Sequence, residues 1–345
     1  MLTEDEIQYI RKRIKESSKP LFFFDDDPDG TTSFILLYKI LNEGKGICVK
    51  GKPILEAAYV AKVEEYAPDL IVILDKPLVE QEFLDKVTQE VIWIDHHPLQ
   101  DNKKVKYFNP RKHDLEDNRP TSFWAYQIAK DDVPNALWIA MIGIIGDWNI
   151  LLKDELNLQY PELLPMNVTN PAEALFNTDI GKLARILEFN LKGTTTQVMQ
   201  AIKTWTRIDD PYEILNQTTP RGKFIYKKFL DVSEKYDDIK KDIVVGEDKI
   251  ILFKYFDTKL AISSMLSNEL LYRYPDKITI IAREKNDELM LSLRSSKIKI
   301  VDKLQKALEG IRGYGGGHDL ACGACVKKED FDQFIENFRL EIAKE

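Results

Sequence analysis

The chain has 345 residues, of which 44% are hydrophobic and 31% are charged, and its formal net charge is -8. This length allows two domains with cores of their own, and the composition is that of a folded protein rather than a disordered one. The acidic balance argues against a protein that coats duplex nucleic acid through counterion release. No apolar run approaches the ~20 residues that span a bilayer, so we expect a cytoplasmic protein without a membrane partner.

The first half of the chain is predicted to form repeated strand–helix units. Thr3 and Glu6 make a capping box ahead of an amphipathic helix that carries Ile7, Ile10 and Ile14. From residue 19 to residue 147, short apolar runs alternate with helical patterns, which is typical of a largely parallel sheet. The predicted strands are 21–24, 47–49, 70–74 and 91–94, and the helical patterns are 33–41, 55–63, 83–87 and 122–128.

The second half begins with helices and ends with another alternation. One helix is predicted over 172–191, and another over 223–236 after the breaker 219–222. The predicted later elements are strands 250–253, 277–282 and 289–294, helices 261–272 and 301–308, and a closing helix with Phe331, Phe334, Ile335, Phe338 and Ile342 on one face. The predicted fold class is therefore α/β with two domains. A mostly parallel sheet with helices on both faces (1–190) is followed by a helical connector (191–245) and a smaller α/β domain (246–345).

Four acidic or histidine-bearing islands each end an apolar run. They are Asp25, Asp27 and Asp29; Asp75; Asp95, His96 and His97; and Asp147. A parallel sheet has its ligand crevice at the carboxyl ends of its strands, so we expect the islands to converge there. Carboxylates about 4 Å apart repel one another by ~1 kcal/mol per pair even in water, and a shared cation removes that repulsion. The pattern predicts a metal site.

The first island has a structural alternative. If the strand continues extended through Asp29, then Asp25, Asp27 and Asp29 share one face and form a cup for a cation. Gly30 would then permit a turn, and a residue of 31–33 would cap the next helix, whose N-terminus suits an anionic phosphate. Taken alone, residues 25–30 are equally typical of an exposed acidic turn.

Asp75 and the two histidines also have structural alternatives, and for Asp75 taken alone the favoured alternative is an ordinary loop aspartate. If His96 and His97 face opposite sides of a strand, one imidazole can bind metal while the other reaches substrate, but two surface histidines would look the same. Asp147 closes the helix-like stretch 137–146, in which Gly143 and Gly146 permit close packing.

Three further features have a functional and a structural reading. Gly313 to His318 (GYGGGH) could form a nest of backbone amides for an anion or a glycine-rich hairpin without a ligand. The basic segments 103–112 and 221–228 could bind a single strand or form solvated edges. Cys322 and Cys325 have redox-motif spacing, but their apolar setting favours buried structural thiols.

The islands resemble, in order and spacing, the four motifs of the DHH phosphoesterase superfamily over residues 19–150. That group includes RecJ-type exonucleases, nanoRNases and cyclic-dinucleotide phosphodiesterases. Many members have histidine where Asp25 stands, whereas RecJ-type sequences have aspartate. The segments 292–295 and 315–324 resemble the DHH-associated C-terminal domain of the nucleic-acid-directed subfamily.

The resemblance implies two divalent metal ions, with manganese preferred and magnesium an alternative. Asp25, Asp27 and Asp75 would hold one ion, and Asp29, His96 and Asp147 would hold the second together with Asp75, which would bridge. Two such ions can activate a water and clamp the phosphorus that it attacks. In this arrangement His97 would contact the phosphate and Asp95 would orient a histidine.

The resemblance also implies where the substrate binds. Arg294 and His318, with Gly315, Gly316 and Gly317, would grip the phosphate or base edges of the substrate, because in that family the C-terminal domain faces the metals across a cleft. A surface salt bridge is the alternative role for Arg294.

The leading functional prediction is a metal-dependent phosphodiesterase acting as an exonuclease on single-stranded DNA or RNA or on short oligonucleotides. One alternative is a nanoRNase, a 3',5'-bisphosphate nucleotide phosphatase or a cyclic-dinucleotide phosphodiesterase. Another is a non-catalytic, RecJ-like partner of replication or helicase proteins. A replication or repair protein is accordingly a candidate partner.

Overall fold

The structure is a computed structural model that describes residues 1–256 and 260–344. Glu345, the last residue of the predicted C-terminal domain, lies outside the described residues. The chain divides into two compact units, Met1–Leu230 and Asp231–Glu345, and the division falls inside the long helix Pro220–Lys241. The predicted α/β fold class with two domains is confirmed.

The first unit contains seven strands and most of the helices. The strands are β1 (Pro20–Asp25), β2 (Lys45–Val49), β3 (Ile54–Leu55), β4 (Leu70–Leu74), β5 (Leu78–Val79), β6 (Glu90–Ile94) and β7 (Lys106–Phe108). The helices are α1 (Glu4–Glu16), α2 (Pro28–Leu41), α3 (Val60–Tyr66), α4 (Gln81–Lys86), α5 (Thr121–Ala129), α6 (Leu137–Gly146), α7 (Lys153–Gln159), α8 (Pro171–Asn177), α9 (Asp179–Asn190), α10 (Thr195–Trp205), α11 (Pro211–Leu215) and α12 (Pro220–Lys241).

A five-stranded, entirely parallel sheet organises this unit. Its strand order is β2-β1-β4-β6-β7, and both of its faces are buried. Alternate residues of β1 show this, since Phe22 and Phe24 pack into one core while Leu21 and Phe23 pack into the other. Near-continuous apolar strands are expected when helices cover both faces of a parallel sheet.

The strand register brings the carboxyl ends of the strands level. Phe24 pairs with Leu74, Leu74 with Ile94, and Ile94 with Phe108. The residues that follow these positions therefore lie side by side along one edge of the sheet. This alignment places three of the four islands together.

Two glycines of α6 permit the close approach of α2. A Cβ added to Gly143 would lie 2.2 Å from Thr32 Oγ1, and one added to Gly146 would lie 2.7 Å from Pro28 Cβ. The expected role of these glycines in close packing is confirmed.

The second unit is a smaller α/β unit around a mixed sheet. Its elements are β8 (Ile250–Phe256), α13 (Ser263–Arg273), β9 (Ile278–Lys285), β10 (Glu288–Arg294), α14 (Val301–Ala307), β11 (Gly313–His318), β12 (Ala321–Lys327) and α15 (Phe331–Ile342). The strand order is β11-β12-β10-β9-β8, in which β8 and β9 are parallel and the other pairs antiparallel. The predicted apolar face of α15 packs into the core of this unit.

Two helix predictions were wrong in detail. The predicted helix 172–191 is divided at Thr178, whose Oγ1 accepts a hydrogen bond from Gly181 N and caps α9. The segment 219–222, predicted to break the chain, instead contains the start of α12, because proline is well tolerated in the first turn of a helix.

The predicted helix 55–63 was also wrong at its start, because Leu55 ends strand β3 and α3 begins only at Val60. Other local predictions agree with the structure. The capping box of α1 is present, and Cys48, Cys322 and Cys325 are buried free thiols. Within the described residues, no helix is both long enough and apolar enough to cross a membrane.

Candidate metal centre

The carboxyl edge of the parallel sheet carries a row of polar side chains. Asp25 is the last residue of β1, and Asp75 and Asp95 directly follow β4 and β6. Asn109 directly follows β7 and was missed by the sequence interpretation. The level register of the strands is what makes these four residues neighbours.

The first island converges by a different route from the predicted one. The strand ends at Asp25, and α2 already begins at Pro28, with Asp27 as its N-cap and Asp29 in its first turn. The Asp27 carboxylate accepts a hydrogen bond of 2.9 Å from Gly30 N, so the prediction of a cap at 31–33 was wrong. The expectation of three acids on one extended face was wrong too, because capping the helix with Asp27 satisfies backbone donors that an extended segment would leave without partners.

The N-terminus of α5 holds Asp29 and Asp75 in place. The Thr121 and Ser122 backbone amides each donate to Asp29 at 2.8 Å, and Ser122 Oγ also donates to Asp29. Thr121 Oγ1 donates to Asp75 Oδ1 at 3.1 Å. Thr121 and Ser122 gave no signal in the sequence beyond their place at the start of a helix, since only the fold brings that helix to the acids.

His96 faces three acids with the nitrogen that could bind a metal. His96 Nε2 lies 3.5 Å from Asp75 Oδ1, 3.8 Å from Asp147 Oδ2 and 3.9 Å from Asp29 Oδ2. The other ring nitrogen, Nδ1, lies 3.3 Å from the Asn118 carbonyl, which can only accept a hydrogen bond. Nδ1 therefore carries the proton, and Nε2 presents a lone pair to the acids, as a metal-binding histidine must.

Asp95 orients His97 rather than facing the other acids directly. Asp95 Oδ1 is 2.7 Å from His97 Nδ1, and Asp95 is fully buried. Its second oxygen accepts from His97 N, Tyr107 Oη and Asn109 Nδ2 at 3.1, 3.2 and 3.3 Å. The His97 imidazole is thereby fixed with Nε2 available for another partner.

The two histidine rings are neighbours and do not lie on opposite faces of a strand. His96 and His97 follow the end of β6, and their ring centroids are 4.5 Å apart. The predicted opposite orientation was wrong because strand alternation stops where the ladder stops.

Three groups of side chains offer donor atoms within 4.8 Å of one another among the described residues. They are Asp25, Asp27 and Asp75; Asp29, His96 and Asp147; and Asp75, His96 and His97. The donors are carboxylate oxygens and imidazole nitrogens, which are common ligands of divalent metal ions in proteins. The residues therefore fit a centre that holds divalent metal.

The carboxyl groups of the cluster have raised pKa values because they are buried and repel one another. Burial, followed by the charges of Asp25 and Asp29, raises the pKa of Asp27 to about 8. Burial and neighbouring carboxylates raise the pKa of Asp75 and of Asp147 well above the usual value. In the absence of metal these raised pKa values favour the protonated acids, and a bound cation would replace the protons.

The pKa values of the two histidines are shifted in opposite directions. Burial lowers the pKa of His96, which keeps its ring neutral. Burial alone would lower the pKa of His97 as well, but the hydrogen bond and charge of Asp95 raise it above the usual value. One histidine is thus suited to bind metal and the other to carry a proton near an anion.

A buried lysine that the sequence analysis did not consider supports Asp25. Lys76 has a fully buried side chain, and its Nζ lies 3.0 Å from Asp25 Oδ1 and 2.6 Å from the Lys52 carbonyl. Asp25 Oδ1 also accepts a hydrogen bond from Asp26 N at 2.9 Å. These two donors leave the other oxygen of Asp25 available to a metal.

In the second unit, Arg294 is held by neutral groups. Its Nε donates to Asn268 Oδ1 at 2.9 Å, and its Nη1 donates to the carbonyls of Leu293 and Cys322 at 2.8 and 3.2 Å. Burial lowers the pKa of Arg294. Within the described part of the chain Arg294 makes no ion pair, so the alternative of a surface salt bridge was wrong and its charge is available to an anion.

The glycine-rich segment is an edge strand, not a nest. Gly313–His318 forms β11, whose only strand partner in the described sheet is β12, and Gly315, Gly316 and Gly317 pair with Ala324, Gly323 and Cys322. The predicted amide nest was wrong because these glycines are extended and paired, although Gly317 has a φ of 143° that favours glycine. The outer side of the strand retains unpaired backbone groups, and the substrate role of this strand and of His318 stays a prediction.

Comparison with known families identifies both units. Residues 21–144 match the model of the DHH family, N-terminal domain, and residues 247–344 match that of the DHHA1 domain. These ranges contain every candidate residue named above except Asp147, which follows the first range by three positions. The chain therefore belongs to the DHH family and combines its N-terminal domain with a DHHA1 domain.

Solved structures with the same fold come from proteins with low sequence identity. RecJ from Thermus thermophilus in complex with Mn²⁺ is 14% identical with a TM-score of 0.69, over 98% of this chain and 55% of RecJ. Exonuclease RecJ bound to manganese is 14% identical with a TM-score of 0.65, over 100% of this chain and 96% of that one. The pGpG-specific phosphodiesterase PggH from Vibrio cholerae is 15% identical with a TM-score of 0.53, over 94% of this chain and 99% of PggH. The chain thus spans about half the length of the Thermus RecJ, and no curated protein matches its sequence.

Proposed function

We propose that the protein is a manganese-dependent phosphodiesterase that removes nucleotides from an end of single-stranded DNA or RNA or of short oligonucleotides. The observation that carries the proposal is the convergence of three donor groups at one sheet edge in a DHH-family chain. Two solved structures with this fold are of RecJ bound to manganese, one of them described as an exonuclease, which supports the choice of metal and substrate class.

Two divalent ions are proposed for this edge. Asp25, Asp27 and Asp75 would hold one ion, and Asp29, His96 and Asp147 would hold the second together with Asp75. Asp75 belongs to one donor group with Asp25 and Asp27 and to another with His96, which is why it is assigned the bridging role. Bound there, the ions would supply Lewis-acid chemistry for the attack of water on phosphorus.

The residues around these acids have proposed roles of their own. His97 would contact the scissile phosphate through Nε2, while Asp95 fixes the ring and favours its protonated form by raising the pKa of His97. Thr121 and Ser122 would hold Asp29 and Asp75 in position through the hydrogen bonds described above. A protonated His97 next to the phosphate would stabilise the negative charge that develops on its oxygens.

The second unit is proposed to recognise the substrate. Arg294 carries a charge without an acidic partner among the described residues, and a guanidinium can contact a phosphate through two nitrogens. The exposed side of β11, with Gly315, Gly316, Gly317 and His318, would offer backbone and imidazole donors to an anion.

A second candidate function is hydrolysis of dinucleotide-sized substrates. PggH, a phosphodiesterase specific for pGpG, matches this chain over nearly the full length of both proteins. The Thermus RecJ, in contrast, is almost twice as long as this chain. Comparing a dinucleotide, a 20-mer and a 3',5'-bisphosphate as substrates separates the two candidates. A preference for the dinucleotide by more than tenfold in kcat/KM would favour the second.

The decisive test replaces Asp75. Asp75 has a φ of 56°, which asparagine tolerates better than alanine, so Asp75→Asn removes the charge with little backbone strain. We expect hydrolysis of a labelled oligonucleotide with manganese to fall by about 10³-fold or more in Asp75→Asn and Asp75→Ala. Asp101→Asn, at an exposed position, is the matched control. Parental activity in either Asp75 variant would contradict the assignment.

The non-catalytic alternative makes a different prediction about metal. A RecJ-like partner of replication or repair proteins that had lost its chemistry would be expected to lack ligands, whereas the sets described above are complete by the proposed assignment. Elemental analysis of the purified protein checks this directly. About two manganese or magnesium ions per chain supports the enzyme, and no bound metal after incubation with manganese supports the alternative.

A further inference from the structure

A large groove lies in the first unit beside the edge strand β2. Its volume is about 860 Å³, and its lining comes from β2, from the flanking part of α2, from α10, and from Tyr59 and Lys62 at the start of α3. We call it the β2 groove. Strand β2 pairs only with β1 in its described sheet, so its outer side forms one border of this groove.

The charge of the β2 groove is opposite to that of the whole protein. Lys45, Lys50, Lys62 and Lys203 line it, and none of its described lining residues is acidic. Glu65 pairs with Lys45 at 3.7 Å and with Lys62 at 2.7 Å, so two of the four ammonium groups share one carboxylate. Lys203 has no acidic partner in the part of the chain that the structure describes. In a protein of net charge -8, such a local excess of cations selects an anionic occupant.

The surface between these lysines is apolar and aromatic. Tyr38 and Tyr59, which are half-buried, contribute rings, and Met199 of α10 lines the groove as well, whereas Phe34 and Ile202 are buried at 3% and 1% exposure. Phe34 and Tyr38 are in contact, with centroids 5.6 Å apart, and Tyr59 is fixed by an edge-to-face contact of 5.7 Å with Phe23. Cations interleaved with aromatic rings are the combination that binds single-stranded nucleic acid, through the phosphates and the bases respectively.

One end of the β2 groove adjoins the metal centre. Cys48 and Val49, at the carboxyl end of β2, pair with Phe24 and Asp25 of β1. Cys48 lines the groove, and the charge of Asp26 contributes, after burial, to raising the pKa of the Cys48 thiol. An occupant could therefore extend from the acids along the five residues of β2, a length of about 16 Å.

Two cations stand at that end of the groove. Lys50 Nζ donates to the carbonyls of Leu191 and Gly193 at 3.3 and 2.9 Å. Lys228 Nζ donates to the Asn190 carbonyl at 2.6 Å, and burial together with the charge of Lys50 lowers its pKa to about 8. These ammonium groups are held rigidly by the end of α9, which reduces the entropy that binding a phosphate would cost.

We propose that the β2 groove binds the single-stranded part of a nucleic-acid substrate that extends beyond the scissile phosphate. The proposal rests on the proposed function and deepens it, because it makes a strand of several nucleotides a better substrate than a dinucleotide. An acidic polypeptide is the other anionic occupant to consider. The continuity with the metal centre favours the nucleic acid, since a peptide would gain nothing from the acids at that end.

The test compares two substrates and two double variants. Lys45→Gln with Lys203→Gln neutralises the groove at two half-exposed or exposed positions, and Lys12→Gln with Lys130→Gln makes the same charge change on α1 and after α5, outside the groove. We expect the ratio of kcat/KM for a 20-mer to kcat/KM for a dinucleotide to fall about tenfold in the first pair and to stay within about twofold in the control pair.

A binding measurement separates this proposal from the proposed function. Asp75→Asn protein is titrated with a fluorescent 20-mer at several salt concentrations. Neutralising Lys45 and Lys203 in that background should weaken binding and reduce the slope of log Kd against log salt by about 1.4, or ~0.7 per lost phosphate contact.

Each other result has a definite meaning. An unchanged substrate ratio and an unchanged salt slope would overturn the β2 groove proposal while leaving the hydrolase intact. An equal loss in the control pair would also overturn it, since the effect would then be one of overall charge. Failure of the parent protein to hydrolyse either substrate would contradict the proposed function, although the salt slope would still report on the groove. Polyglutamate serves as a probe for an acidic polypeptide. If neutralising Lys45 and Lys203 abolished the binding of polyglutamate but not that of the 20-mer, the groove would be assigned to an acidic protein segment.

Discussion

The metal centre of the first unit and the glycine-rich edge of the second unit are opposite kinds of site. In the first, charged groups are buried, as Asp29 and Asp75 at 1% exposure show. In the second, β11 offers backbone at the rim of a sheet, and Tyr314 is 72% exposed. The first site is assembled from strand ends and helix ends that lie far apart in sequence. The second comes from one strand pair that is local in sequence.

This difference predicts how each site responds to change. Buried acids that face one another destabilise the fold until a cation or protons neutralise them, so the metal centre couples activity to stability. An exposed edge strand has no such coupling, and substitutions there that place the new side chain in open space should change binding with little effect on folding. The following predictions test this contrast, beginning with the largest expected effect.

Replacing Asp75 should separate metal binding from intrinsic stability. Asp75→Asn removes one charge from a crowded acidic cluster, so in EDTA we expect the variant to unfold at the same or a higher temperature than the parent. With manganese at about 1,000 times its Kd, the parent should gain ~4 kcal/mol of stability and the variant much less. Thermal unfolding with and without manganese measures both. A variant that is less stable in EDTA but gains fully from manganese would show that Asp75 is structural.

Manganese binding should weaken as pH falls. The raised pKa of Asp27, about 8 without metal, means that below pH 8 a proton must leave before the metal binds. For one displaced proton the affinity falls about tenfold per pH unit between pH 8 and 6. Calorimetry in two buffers of different ionisation enthalpy counts the released protons. Equal affinity at pH 6 and 8 would contradict this description of the cluster.

Removing the charge of Asp95 should impair His97 without removing a metal ligand. Asp95→Asn loses the ionic partner of His97 Nδ1, so the pKa of His97 should fall and activity should drop about 10- to 100-fold. Metal stoichiometry should stay at the parental value. Histidine titration by NMR checks the pKa, and Asp114→Asn is an exposed control. Normal activity together with a normal His97 titration would remove Asp95 from the mechanism.

In the second unit, replacing Arg294 should weaken substrate binding more than it slows turnover. Arg294→Lys keeps the charge but loses the paired nitrogens, and we expect KM for an oligonucleotide to rise about tenfold with a smaller change in kcat. His318→Ala should behave similarly. Steady-state kinetics with saturating manganese measure the split. An unchanged KM in both variants would sink the assignment of substrate binding to this unit.

Two neighbouring glycines of β11 provide a matched pair of substitutions, for which we expect the smallest effects on stability and binding. A Cβ at Gly315 would lie 2.8 Å from Ala324 Cβ, whereas one at Gly316 meets nothing within 4 Å. Gly315→Ala should therefore lower the free energy of unfolding by ~1 to 3 kcal/mol, and Gly316→Ala should change it by less than about 1 kcal/mol. If substrate approaches β11, Gly316→Ala should still raise KM severalfold. A normal KM would limit the role of β11 to folding.

Sequence reasoning was most successful where chemistry and local pattern coincide. The order of the islands, the apolar strands before them and the capping box of α1 are all properties of short segments, and the structure contains them. It failed where two local solutions compete. Asp25 to Asp29 can continue a strand or cap a helix, and only the packing of α2 against α5 and α6 decides for the helix.

Several residues around the metal centre could not be predicted at all. Thr121 and Ser122 reach the acids because α5 begins at that edge, and Lys76 reaches Asp25 because β4 lies next to β1. The basic segments noted in the sequence are used largely to hold carbonyl groups, as Arg111 does for His96 and Lys228 for Asn190. The lysines of the β2 groove, in contrast, are scattered from Lys45 to Lys203.

By itself, the sequence determined the family, the fold class and the set of acids and histidines that can hold metal. These depend on residue types and on periods of two and 3.6 residues, which are readable along the chain. The tertiary structure decided which atoms face one another, which tautomer His96 adopts and where cations gather beside the acids. Strand register and helix packing bring together residues that are distant in sequence, and no local sequence pattern shows which of them become neighbours.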